Sequence, residues 1–149
     1  MRILHVVNIS FVIPFFLGEQ LIYFTEKGNE EYIACSPSED LPRYANLYKF
    51  RYTEVEITRQ ISLVKDVKAI YHIWKFIKQN KIDIVVGHTP KGGMCAMIAS
   101  FLAGTQRRIY FRHGLVYETS HGIKRFILKS VDRITSLLAT RIVCVSKSV

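Results

Sequence analysis

A chain of 149 residues, 49% hydrophobic and 22% charged with a mean hydropathy of +0.13, has the length and composition of one packed domain, which excludes disorder and collagen-like repeats. Its longest apolar run, Phe11 to Leu17, contains Pro14 and falls far short of the ~20 residues that cross a bilayer, so no transmembrane helix is expected. The formal charge of +9 is unevenly placed: Met1 to Glu56 nets −3 and Ile57 to Val149 nets +12, which suits nucleic acid, anionic lipid or a phosphorylated ligand.

No zinc-finger spacing, RNA-binding aromatic signature or continuous basic helix is present, which sets nucleic acid behind a phosphate or membrane partner. Met1 leads at once into a strand-like run without a small-residue cleavage site, so a cytoplasmic protein is expected. Cys35, Cys95 and Cys144 lie far apart in apolar stretches with no C-x-x-C, the pattern of reduced core thiols rather than disulfides or zinc.

Arg2 to Val7 reads as the first strand. The apolar loop behind it lacks the G-x-G-x-x-G fingerprint, which disfavours an NAD or FAD site; the loop is either core or a contact for an apolar substrate tail. A helix is predicted from Pro14 to Lys27, stopped by Gly28, and strands follow at Tyr32 to Cys35 and Leu47 to Ile57. Ser62 suits the N-cap of a helix through Asn80 in which Leu63, Val67, Ile70, Trp74 and Ile77 recur as one buried stripe. Lys65, Lys68, His72 and Lys75, with Phe76 among them, fall on its back, which is either a solvated face or a weak contact for anionic lipid.

Ile82 to Gly87 is nearly continuous in apolar residues, as a parallel strand covered on both faces is. It exits into His88-Thr89-Pro90-Lys91-Gly92-Gly93, ahead of a helix predicted from Lys91 to Leu102 and closed by Gly104. Two glycines, the first amides of the helix and the charge of Lys91 suit an anion; the plainer reading is an ordinary turn with a solvated lysine. The longer Walker loop is missing, so a P-loop nucleotidase is not supported. The next strand, Arg108 to Arg112, exits into His113-Gly114-Leu115, where His113 either bonds a ligand hydroxyl or is structural.

A helix from Ile123 to Ala139 and a strand from Arg141 to Val145 complete the pattern. Ser146 to Val149 looks like the start of another helix, so this end is expected to be a boundary inside a longer protein. The spacing of His5, His72, His88 and His121 suggests no metal set, no Asp-x-Asp pair occurs, and no nucleophile elbow or Cys-His pattern supports a hydrolase. Alternating strands and helices imply right-handed crossovers and an α/β fold: a Rossmann-like, open, mainly parallel sheet with helices on both faces. In such sheets ligands gather at the carboxyl ends of the strands.

Taken in order, Ile3-Leu4-His5-Val6, Phe15-Phe16-Leu17 with Gln20, Arg59-Gln60-Ile61-Ser62 with Asp66, Asp83-Ile84-Val85-Val86 with the His88-to-Gly93 turn, Arg108-Ile109-Tyr110 with His113-Gly114-Leu115, and Val143-Cys144-Val145-Ser146 carry a resemblance. The chain resembles the amino-terminal domain of GT-B glycosyltransferases of family 4, near the bacterial capsular and O-antigen sugar transferases, over nearly its whole length. The resemblance implies one lobe of a two-lobed enzyme that moves a sugar from a nucleotide diphosphate to an acceptor with retention. This lobe would mainly hold the acceptor, and the nucleotide-sugar-binding lobe would be absent from this chain.

By the same resemblance His113, beside Gly114, would touch the donor sugar across the cleft, while Lys91, Gly92 and Gly93, with Arg59, would face acceptor or diphosphate. Many members place a Gly-Gly pair after the first strand; Phe15 and Phe16 stand in that region here, a departure that makes them candidates for acceptor or membrane contact together with Lys65, Lys68 and Lys75. The implied partners are a nucleotide-sugar donor, a lipid-linked or saccharide acceptor and the inner face of the plasma membrane. Neither a cofactor nor a metal is expected, since cations and helix amides neutralise the diphosphate. A competing reading from another class is a stand-alone Rossmann-like module that captures a phosphorylated ligand without catalysis.

Overall fold

A computed structural model describes residues 1–112 and 121–144 of the chain. Six strands, β1 (Arg2–Val6), β2 (Glu30–Cys35), β3 (Arg51–Glu54), β4 (Ile84–His88), β5 (Arg107–Arg112) and β6 (Arg141–Cys144), form one sheet. All neighbours are parallel and the order is β3-β2-β1-β4-β5-β6. The chain builds outward from β1 to β3, then returns to the far side of β1, so strand order reverses between β1 and β4. That is where an open α/β sheet leaves a crevice at its carboxyl edge.

Among the described residues five α-helices cover the sheet: α1 (Gly18–Glu26), α2 (Leu41–Tyr48), α3 (Leu63–Asn80), α4 (Pro90–Ala103) and α5 (Gly122–Leu138). Successive strand residues point to opposite faces, and the core divides accordingly. Leu4, Val6, Tyr32, Ala34 and Val85 pack with Ala69, Ile73 and Ile77 of α3 and Cys95 to Ala99 of α4. On the other face Val7, Ile33 and Cys35 pack with Leu21 of α1 and Leu41 of α2. The expected Rossmann-like parallel sheet with helices on both faces is the architecture observed.

Several expectations need correction. The segment from Leu47 is not a strand until Arg51: Pro42, in the first turn of α2, presets the helical φ, and Lys49 ends that helix at φ 60. The strand left, β3, is a short outer edge. The helix foreseen from Pro14 to Lys27 is present, but its first turn, Ile13–Leu17, is π-helical and runs into α1 at Gly18.

The buried stripe of α3 is also rotated. It consists of Asp66, Ala69, Ile73 and Ile77, while Leu63 is 81% exposed and Val67 is exposed as well. Asp66 turns inward because α4 supplies a cation to meet it; Val67 beside it turns outward, while Ile70 and Trp74 stay partly buried against the core. Phe76 does not sit among the cations; its ring packs edge-on to Tyr32, 5.7 Å away.

All three cysteines are free, but only Cys35 and Cys95 are core residues; Cys144 is exposed. Burial pushes both core thiols up to about 12, so they stay protonated and inert where an ordinary thiol ionises. Alkylation at pH 8 to 9 should label Cys144 alone, with Cys35 and Cys95 reacting only on unfolding. Because their folded pKa values are raised, their contribution to stability is intact below pH ~9 and is lost as pH rises toward 12. Equal labelling of all three thiols in the folded chain would contradict this core.

Candidate functional site

The crevice at the β1/β4 reversal is built on the turn after β4. Thr89 caps α4 from φ 66 and ψ 158, a conformation rare for a β-branched residue. Such backbone costs on the order of 1–3 kcal/mol and persists where the surroundings hold it. The hold is visible: Thr89 Oγ1 accepts the Gly92 N–H at 3.2 Å, and Thr89 O accepts the Gly93 N–H at 2.8 Å.

The glycines of this turn let α4 lie almost on the strands. A Cβ on Gly92 would stand 3.0 Å from Val6 O, one on Gly93 would stand 2.5 Å from the Tyr110 ring, and one on Gly87 of β4 would stand 2.7 Å from Gly93 Cα. Close approach of backbone is therefore what Gly92 and Gly93 supply, and their amides are engaged by Thr89.

Lys91 is not a solvated cation at the rim. It is 6% exposed, and its Nζ donates to both carboxylate oxygens of Asp66, at 2.5 and 2.6 Å, and to Gln60 O at 3.2 Å. Two elements meet on that atom, the buried face of α3 and the start of α4, and the loop before α3 is fastened beside them. The neighbouring Arg59 is exposed on the same loop. The expectation that Lys91 adds an uncompensated charge is thus corrected: Asp66 neutralises it.

The other candidates are spread over the surface. The apolar loop is divided: Ile13 and Leu17 are core, whereas Phe15 and Phe16 are exposed, with the Phe11 ring 5.0 Å from that of Phe15. Lys65, Lys68 and Lys75 are exposed on α3, as foreseen, but Lys65 pairs with Glu56 at 3.4 Å. His113, Gly114 and the segment from Val145 lie outside the described residues.

Two clusters escaped the sequence reading. At the end of β5, Arg112 donates to Asp132 Oδ2 at 2.7 Å and to Ser136 Oγ at 2.8 Å, while the Tyr110 hydroxyl donates to Asp132 Oδ1 at 3.1 Å. Burial, reinforced by the Asp132 charge, pushes the Tyr110 hydroxyl well above the usual tyrosine range. These bonds tie α5 to the strand that leads to His113. The second cluster joins His5, His88 and Glu31 within the sheet. Its sequence signal was a histidine or a glutamate set against the apolar residues of three strands, since spacing along the chain says nothing of neighbours across a sheet. Among the described residues no group of His, Cys, Asp and Glu is arranged to hold a metal ion.

A parallel sheet with its crevice at the β1/β4 reversal and a glycine turn opening α4 defines the class: a Rossmann-like α/β domain with its candidate ligand edge at the carboxyl ends of the strands. A solved glycosyltransferase from Rickettsia africae superposes with a TM-score of 0.71 at 18% identity, over 97% of this chain and 36% of that one. The profile of the glycosyl transferase 4-like family matches residues 2–146, and the chain belongs to that family. It is 31% identical over 147 residues to the capsular polysaccharide biosynthesis glycosyltransferase CapM of Staphylococcus aureus. It is 29% identical over 120 residues to the UDP-Gal:alpha-D-GlcNAc-diphosphoundecaprenol alpha-1,3-galactosyltransferase of Escherichia coli. These matches cover 99% and 78% of this chain but 38% and 31% of those relatives, so the chain spans about a third of their length.

Proposed function

We propose that this chain is the amino-terminal, acceptor-side lobe of a glycosyltransferase that moves a sugar from a nucleotide-diphosphate donor to a lipid-linked saccharide, with retention, in surface-polysaccharide synthesis. The family match over residues 2–146 carries this reading. The two relatives, one a capsular transferase and the other named for a diphosphoundecaprenol-linked sugar, support the acceptor class. Transfer needs the leaving diphosphate neutralised and the acceptor hydroxyl held in line, which two facing lobes achieve. On this lobe His113, beside Gly114, positions the donor sugar. Arg59 meets the diphosphate or the acceptor, and the Lys91–Asp66 pair with Gly92 and Gly93 holds the turn in shape.

The test is transfer from labelled nucleotide sugars to lipid-diphosphate acceptors by the complete product of the natural reading frame. The full product should turn over and the 149-residue chain should not, and His113→Ala should lower kcat by about 10- to 100-fold, or ~1.4 to 2.7 kcal/mol. A reading frame that stops at Val149 and a chain that binds phosphorylated ligands without turnover would favour the binding module instead.

The same reading places the enzyme at an anionic membrane surface. Among the described residues no helix is long and apolar enough to cross a membrane, so contact would be peripheral. Two surfaces compete for it. The basic back of α3 lacks the apolar ring expected of it and has Glu54 and Glu56 beside Lys65, Lys68 and His72. Helix α5 exposes Ile123 at 79% and Leu137 at 78%, in one stripe with Phe126, Ile127 and Ile134, while Lys129 and Arg133 border it. We place the contact on α5. Sedimentation with anionic vesicles should fall with salt and weaken when Lys129 and Arg133 become Gln; loss through Lys65, Lys68 and Lys75→Gln instead would return the contact to α3.

A further inference from the structure

Three polar side chains cross the sheet on the face opposite α3 and α4. The register sets Ile3 against Glu31, and His5 against Val86, so Glu31 of β2, His5 of β1 and His88 of β4 lie on a diagonal that climbs toward the carboxyl edge. His5 Nε2 stands 2.9 Å from Glu31 Oε2, and His5 Nδ1 stands 3.1 Å from His88 Nε2. The two imidazoles stack with centroids 5.3 Å apart, and His88 lies 5.4 Å from the ring of Phe111, its direct partner across β5.

The three are 2%, 3% and 1% exposed for His5, Glu31 and His88. Burying such groups is costly, and apolar side chains of similar size would fill these positions without the desolvation penalty. Glu31 Oε1 even lacks a hydrogen-bond partner among the described residues. The direction of the diagonal gives the array a purpose. It runs from within the sheet to His88, immediately before the strained Thr89 that opens α4. Through Phe111 it also touches the exit of β5, two residues before His113.

We propose that Glu31, His5 and His88 form a positioning relay for the candidate site. Glu31 accepts the hydrogen of His5 Nε2, which leaves His5 Nδ1 as the acceptor for the hydrogen on His88 Nε2. Each link carries one hydrogen, so both rings are fixed in tautomer and in orientation. His88 then holds the β4 exit and, by ring contact, the β5 exit in register with one another. None of the three touches the reacting atoms; they act through the two strand ends.

The relay itself is tested without activity, by long-range proton–nitrogen correlation spectra of the 149-residue chain labelled in its histidine rings. His5 and His88, assigned with the His5→Gln and His88→Gln variants, should each show a single tautomer with hydrogen on Nε2. Glu31→Gln keeps an accepting oxygen and should preserve both, whereas Glu31→Leu removes the acceptor of His5 Nε2 and should leave His5 averaging between tautomers. Averaged signals from His88 in the native chain would overturn the relay, whether or not the leucine variant folds.

The role in transfer rests on the function proposed above and is read in the full-length product. His5→Gln should lower kcat about tenfold while the donor KM stays within about twofold, and Glu31→Gln should keep most of the native rate. Unchanged kcat in His5→Gln would overturn the positioning role even if the tautomers are as stated. A native product that transfers no sugar would instead defeat the functional reading, and the spectra would still decide the relay.

Discussion

Replacing Lys91 by Met should cost the domain about 3–5 kcal/mol, because it leaves the Asp66 carboxylate buried without its counter-charge. Lys91 and Asp66 are 6% and 8% exposed, and the ammonium holds both carboxylate oxygens together with the Gln60 carbonyl. Asp66→Leu alone should also destabilise, since it strands the ammonium. The double variant Lys91→Met, Asp66→Leu should recover most of the loss, because two apolar side chains pack where two charges had to be desolvated.

Urea unfolding followed by circular dichroism measures all four proteins, and the coupling is the difference between the double variant and the sum of the single ones. A loss within about 1 kcal/mol for Lys91→Met is what an exposed pair would give, and it would return Lys91 to the surface role that its sequence suggested. The experiment also bears on function. If the double variant is stable but defective in transfer, the ion pair serves the turn and the Gln60 loop rather than the fold.

What was legible in the sequence follows from which interactions are local. The parallel strands announced themselves through nearly continuous apolar runs such as Ile82 to Gly87, and the helix stops at Gly28 and Gly104 were visible because glycine suits the positive φ, 91° and 78°, that ends a helix. Helix α2 was missed because its signal, a proline in the first turn and two tyrosines four residues apart, is short and shared with strands. The rotation of α3 was missed for a different reason. A carboxylate reads as solvent-facing until its partner is known, and Lys91 is 25 residues away along the chain. The glycine turn was recognised as a site feature, but its meaning changed. An exposed phosphate cradle and a close helix–sheet contact both need residues without a Cβ, and only the coordinates of Val6 and Tyr110 tell them apart.

Gly87→Ala should destabilise the domain by about 3 kcal/mol, the upper range for overpacking, although it adds one methyl group in the middle of a strand. That methyl would stand 2.7 Å from Gly93 Cα and 3.1 Å from the Ala96 side chain, so the clash is with the helix backbone and no side-chain rotation relieves it. Helix α4 must then move off β4. Its start carries Thr89, Lys91 and the glycines packed on Val6 and Tyr110, so the displacement reaches every part of the turn. Gly104→Ala is the control: nothing lies within 4 Å of its Cβ position, and only its φ of 78° resists the change, a cost of about 1–2 kcal/mol. The two variants should therefore separate in kind. Gly104→Ala lowers stability and leaves the spectra of the α4 turn unmoved, whereas Gly87→Ala shifts the resonances of Thr89 to Gly93 even in the folded protein. Equal stability losses with undisturbed turn resonances in both would mean that α4 rides higher above the sheet than the close contact of Gly87 and Gly93 requires.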